Sequence, residues 1–263
     1  MGKIVFFDID GTLVDNATQV IPDSTVKALA QLRQAGHLAV LNTGRPYTHL
    51  DPRILAMDFD GCVSACGMQV QAGGRRLHWT GATQAQCRRM VELCRAWDMD
   101  TMFETPTGAV HMGPLGQEAE TELARIAQRG LTVSQDVENM ELIKLVAYDP
   151  AGTKTAGFCQ GVGADFTVIN RGRGMLELVP AGNSKSTGIA MVLERFGLDR
   201  QDAYAFGDST NDLPMFRSVG TAVAMGGSPA ALCQAADYVT GTVLAGGIAQ
   251  GLGWCGLIPK FRE

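Results

Sequence analysis

The sequence predicts an α/β protein: a doubly wound, mainly parallel sheet carrying an inserted α+β domain. Three observations carry this. Strand-like and helix-like patterns alternate through the first 80 residues. That alternation stops and resumes after residue 183, and the stretch between holds strands that pair through turns instead of through helices. Residues 1–80 and 183–263 are therefore expected to form one core domain, and residues 81–182 an inserted one.

In order, residues 3–7 form a short β-prone run. Residues 22–36 follow, with Val26, Leu29, Ala30 and Leu32 near helical spacing and a glycine stop at Gly36. Residues 37–44 read as a second buried strand, 47–57 as a helix and 62–65 as a third strand. Gly73-Gly74 then separates two extended runs, a hairpin signal. The inserted stretch reads as a helix (84–97), two extended pieces (101–104, 109–112), a helix (117–128), a strand (142–148), a helix (153–160) and two strands (166–170, 175–179). The doubly wound pattern then resumes with a helix (186–196), a strand (203–206), a helix (212–218), a strand (221–224) and two more helix-like segments.

Composition narrows the function. A net charge of −5 disfavours a phosphate-backbone ligand, so no nucleic-acid partner is expected. The apolar run near the N-terminus meets acids after four residues, too short for a secretory core or a membrane span. Phe6 occupies the position where a myristoylation signal calls for Ser or Thr. Seven scattered cysteines imply reduced thiols in a cytoplasmic protein, mostly filling core space. A metal site on Cys62 and Cys66 would need about four ligands at recognisable spacings.

Open parallel sheets bind ligands beyond the carboxyl ends of their strands. Four such places carry polar residues here: Asp8-Ile9-Asp10-Gly-Thr, Thr43-Gly44-Arg45, Lys185 near a helix start, and Gly207-Asp208 with Asn211-Asp212. Clustered Asp8, Asp10 and Asp208 would repel one another and need a cation, and oxygen ligands suit Mg²⁺. Thr43 and Lys185 could then hold an anion beside it, a combination that suggests phosphoryl transfer. Taken singly, each motif also has a bland reading. Asp10-Gly11 could be a turn tip, Thr43-Gly44 a turn, Lys185 an exposed lysine and GDSTND a helix-capping loop.

"DIDGTLVD", "LNTGR", Lys185 within "PAGNSKSTGIAMVLERFG", and "GDSTNDLPMF" together resemble the four ordered motifs of the haloacid dehalogenase superfamily of phosphatases. The gap between the second and third is similar to that of its Cof-like subfamily, class IIB, where a large α+β cap is inserted in a Rossmann-like core. The resemblance implies that Asp8 is the nucleophile that becomes an aspartyl-phosphate, and Asp10 the acid and base. It implies Mg²⁺ held by the Asp8 side chain, the Asp10 backbone carbonyl and Asp208, with Asp212 behind them. Thr43, the Ile9 and Gly44 amides, Lys185 and Asn211 would grip the phosphoryl oxygens.

The expected reaction is Mg²⁺-dependent hydrolysis of a small phosphate ester, a sugar phosphate first, by a monomer or small homo-oligomer without membrane attachment. A phosphomutase would return the phosphoryl group to a second hydroxyl, and a non-catalytic phosphometabolite-binding module would have no use for Asp10. Arg45 could reach substrate or pair with a structural acid. In the inserted stretch His111 and Glu104 could face the leaving group but read first as structural or solvated, and Arg171 and Arg173 read as stabilising a turn or lying in water.

Overall fold

The computed structural model describes residues 2–138 and 140–260. Its first elements are β1 (Ile4–Phe7), α1 (Asp23–Gln34), β2 (Leu38–Asn42), α2 (Pro52–Leu55), β3 (Gly61–Ser64), β4 (Gln69–Ala72) and β5 (Arg75–Trp79). Next come α3 (Gln84–Ala96), β6 (Asp100–Thr105), β7 (Gly108–Met112), α4 (Gln117–Gln128), β8 (Thr132–Ser134), β9 (Lys144–Tyr148), α5 (Thr155–Val162), β10 (Phe166–Gly172) and β11 (Met175–Pro180). The last are α6 (Lys185–Phe196), β12 (Ala203–Gly207), α7 (Leu213–Arg217), β13 (Thr221–Ala224), α8 (Ala230–Ala235), β14 (Tyr238–Val239) and α9 (Gly247–Trp254). Among the described residues no helix is long and apolar enough to cross a membrane.

The chain divides into two compact units. The first comprises the residues up to Gly44, Asp51–His78 and the chain from Ser184 onward; the second comprises Arg45–Leu50 and Trp79–Asn183.

In the first unit the sheet order is β14-β13-β12-β1-β2-β3-β4-β5. From β14 to β3 every neighbouring pair is parallel, and β4 then runs antiparallel to β3. β1 is central and all four of its residues are buried, as its unbroken apolar run requires of a strand covered on both faces. α1 buries Thr25, Ala28, Leu29 and Leu32, while Val26 and Ala30 face outward. The apolar stripe is thus turned from the one expected, because a polar residue, Thr25, occupies its first position.

The helix expected over residues 47–57 is broken. A single 3-10 turn at Tyr47–His49 ends in extended backbone at Leu50 and Asp51, and α2 restarts with Pro52 at its first position. Proline disfavours helical backbone in the residue before it and needs no amide partner in the first turn. Two short strands, β8 and β14, carried no sequence signal.

In the second unit the sheet order is β10-β11-β9-β6-β7-β8, antiparallel except for the β7–β8 pair. Alternate residues serve opposite faces. Phe103, Leu145, Ala147 and Leu178 pack with Met90, Cys94 and Phe158 of α3 and α5. Met102, Val146 and Tyr148 pack with Ala119, Leu123 and Ile126 of α4.

Candidate active site

Asp8 extends β1 by one residue, donating its amide to the Phe206 carbonyl at 3.0 Å, so its side chain leaves a rigid strand end. The next residues turn tightly: the Ile9 carbonyl accepts from the amides of Thr12, Leu13 and Val14. Gly11 stands at φ +77°, and a Cβ there would overlap the Asp208 carboxylate, so both conformation and close approach call for glycine. Asp208 follows β12, adjacent to β1 in the sheet, which is why motifs 200 residues apart (208 − 8) meet.

Lys185 opens α6, whose Ser184–Thr187 capping box fixes its first turn. Its side chain is buried and its Nζ lies 2.7 Å from Asp8 Oδ1 and 2.6 Å from Asp212 Oδ1. The other oxygen of Asp212 accepts from the amides of Asp208 (3.1 Å) and Ser209 (3.2 Å), so Asp212 pins the loop after β12. Asp8, Asp208 and Asp212 each present a carboxylate oxygen, and these lie within 4.8 Å of one another. All are hard oxygen donors, and their negative charge exceeds what one lysine balances; the set fits a small divalent cation such as Mg²⁺.

Electrostatics agree with that fit. Burial pushes the Asp8 carboxyl up to about 7; Lys185 opposes the rise, and the charges of Asp212 and Asp10 add to it. A bound cation would reverse that sign. Burial works against the Lys185 ammonium, but the charges of Asp212 and Asp8 outweigh it and its pKa is raised.

Thr43 is buried at the end of β2 and donates its amide to the Val63 carbonyl at 2.8 Å. Gly44 and Asp10 are half-buried. Asn211 is also half-buried, and its Oδ1 accepts the Ser209 hydroxyl within its own loop. Asp8, Lys185, Asp208 and Asp212 thus lie within a few ångströms of one another, while Ile9 and Asn211 are held by bonds within their own loops and Thr43 by the neighbouring strand β3 and the turn that follows it. Sequence reasoning missed Asn42, whose Nδ2 donates to the Lys185 carbonyl at 3.3 Å, and Thr12, whose buried hydroxyl has no hydrogen-bond partner. Both stand inside the quoted motifs, so their position was a signal in itself.

In the second unit, Glu104 and Glu177 flank Lys144, at 3.3 and 2.8 Å, all three buried. Arg171 Nε lies 3.8 Å from Glu177. His111 Nε2 contacts Asp100 at 3.0 Å, and Asp100 also accepts the Gly116 amide at the start of α4. Arg173 sits at φ +50° in the exposed turn between β10 and β11, and Arg45 is half-buried at the head of the 45–50 segment.

A family model described as haloacid dehalogenase-like hydrolase matches residues 5–252. The chain is 30% identical to "Putative phosphatase YkrA" of Bacillus subtilis over 97% of this chain and 98% of that protein. It is 26% identical to the pyridoxal phosphate phosphatase YbhA of Escherichia coli, over 94% and 96%. Among solved structures, BT1666 of Bacteroides thetaiotaomicron, from a study of phosphatases of the haloalkanoate enzyme superfamily, is similar at a TM-score of 0.85 and 25% identity. That match covers 98% of this chain and 96% of the other.

Proposed function

Because this chain belongs to the haloacid dehalogenase-like hydrolases, we propose that it is a Mg²⁺-dependent phosphomonoesterase working through an aspartyl-phosphate on Asp8. The observation that carries this reading is the convergence of Asp8, Asp208, Asp212 and the buried Lys185 at adjacent strand ends. Phosphatase activity on small phosphorylated metabolites is what the family and its relatives support.

In the proposed sequence an Asp8 oxygen attacks phosphorus and the ester P–O bond breaks, with Asp10 giving its proton to the leaving alkoxide. Asp10 then takes a proton from water as its oxygen attacks the aspartyl-phosphate, freeing inorganic phosphate and regenerating Asp8. Lys185, Thr43, Asn211 and the Ile9 and Gly44 amides hold the phosphoryl oxygens. Mg²⁺, held by Asp8, the Asp10 carbonyl and Asp208 with Asp212 behind, would supply positive charge against the carboxylates and the phosphoryl group.

The inserted unit is proposed as the cap that selects the leaving group. Sugar phosphates lead the substrate class, being the usual esters of the subfamily the motifs resemble; pyridoxal phosphate follows, from the name of one relative. A cytoplasmic location agrees with seven cysteines that are all free thiols. The test is phosphate release from sugar phosphates, nucleotides, flavin mononucleotide and pyridoxal phosphate, with Mg²⁺ and with chelator. Release that needs the metal and vanishes in Asp8→Asn is expected; release that survives in that variant would remove Asp8 from its role.

A further inference from the structure

The chain between β3 and β4 reverses within three residues. Ala65, Cys66 and Gly67 all have positive φ, at 48°, 53° and 91°, and all are buried. Two of them carry a Cβ, which the left-handed region disfavours, so the conformation persists only where the surroundings dictate it.

Those surroundings are the backbones of Thr43, a residue of the phosphate grip, and of Ser184, the neighbour of another, Lys185. The Cys66 amide donates to the Thr43 carbonyl at 3.1 Å, while the Thr43 amide donates to Val63 at the end of β3, so Thr43 is bonded on both sides to this one stretch. Gly67 lies flat against the backbone of Ser184, the residue before Lys185, and a Cβ at Gly67 would overlap the Ser184 carbonyl oxygen. One helical turn further on, a Cβ on Gly188 of α6 would overlap the Val63 side chain. The turn therefore touches Thr43 on one side and the first turn of α6 on the other, although the two residues are 142 positions apart (185 − 43).

We propose that the Ala65–Cys66–Gly67 turn is a positioning element that sets the separation of Thr43 and Lys185, with Gly67 as the residue that defines it. A larger residue at 67 would push α6, and with it Lys185, away from Thr43, and the two would no longer close on the same phosphoryl group. This rests on the phosphatase reading only in taking Thr43 and Lys185 as phosphate-holding groups.

The experiment compares Gly67→Ala with Gly74→Ala in the full chain. Gly74 also has positive φ, at 72°, but a Cβ there would meet nothing within 4 Å, so its variant carries the backbone strain without the displacement. Melting temperature, kcat/KM and inhibition by inorganic phosphate are measured with Mg²⁺ present. Gly67→Ala is expected to lower kcat/KM and phosphate affinity by up to about a hundredfold, the scale of an ångström-sized misplacement. Gly74→Ala is expected to lower only the melting temperature.

A folded Gly67→Ala protein with a reduced melting temperature and unchanged phosphate affinity would overturn the proposal. Should that variant not fold, Cys66→Thr and Cys66→Asn ask the same question, since Asn accepts left-handed backbone and a β-branched residue does not. Weakened phosphate inhibition in the Thr variant and its retention in the Asn variant support positioning; equal effects overturn it. If the wild-type chain hydrolyses no ester, calorimetric titration with inorganic phosphate separates the two ideas. Weaker binding by Gly67→Ala would keep the positioning role while the hydrolase reading fails, and equal binding would end both.

Discussion

Lys185 is charged, buried and shared by two carboxylates, so its loss is felt twice. Replacing it with methionine leaves Asp8 and Asp212 buried without their cation, at a cost of about 3–5 kcal/mol by analogy with broken buried ion pairs. A divalent ion can take over that neutralisation. Lys185→Met should therefore gain more in melting temperature from Mg²⁺ than the wild type gains, read as the difference between melts with metal and with chelator. Asp10 is separable from Asp8 by its leaving-group dependence. If Asp10 protonates the departing oxygen, Asp10→Asn should cut kcat on an alkyl phosphate by about 10²–10⁴. On p-nitrophenyl phosphate, whose leaving group needs little protonation, the loss should be much smaller, and equal losses would remove Asp10 from acid catalysis.

At the level of elements, the sheet of the second unit carries an ionic network where its neighbouring positions are apolar. Glu104 on β6 and Lys144 on β9 are direct cross-strand partners, and Glu177 reaches the same ammonium from β11. Burial pushes the Glu104 carboxyl up to about 7; Lys144 restrains the rise and Glu177 adds to it. The folded chain thus holds a proton on Glu104 that the unfolded chain releases nearer 4.5. Its contribution is complete below the unfolded value and is lost as pH rises through about 7, with a slope of at most about 1.4 kcal/mol per pH unit. Glu104→Gln resembles the protonated acid, so its melting temperature relative to wild type should climb between pH 5 and 8. A constant difference across that range would mean that Glu104 is ionised throughout.

For the whole molecule, the proposed metal ligands all belong to the first unit, and the network around Lys144 belongs to the second. Ligand linkage opposes those openings that break the binding site: at a hundred times its dissociation constant Mg²⁺ would raise their cost by about 2.7 kcal/mol. Hydrogen exchange with and without Mg²⁺ should accordingly slow in residues 7–12 and 207–212, with Asp208→Asn abolishing the difference. The β6, β7 and β9 amides should exchange alike in both conditions. Metal-dependent protection centred on β9 instead would move the metal site away from the strand ends.

What the sequence determined by itself is what depends on near neighbours in the chain. β13 stands at the expected Thr221–Ala224 and α4 at Gln117–Gln128, because period, caps and glycine stops are local signals. The placing of Asp8 and Asp208 after strands was legible for the same reason: each follows a short β-prone run, and parallel sheets gather their strand ends. Tertiary structure alone decided the rest. Nothing near Lys144 announces that Glu104 and Glu177 will flank it, nothing near Gly67 announces Ser184, and the Asp212 bond to Lys185 spans 27 positions (212 − 185). Which stripe of α1 turns inward, and where β8 and β14 find an edge to pair with, depended likewise on the shape of the surface already formed. A residue's chemistry is fixed by its side chain, but its charge state, burial and partner depend on which distant segments the packed sheet brings within hydrogen-bonding reach.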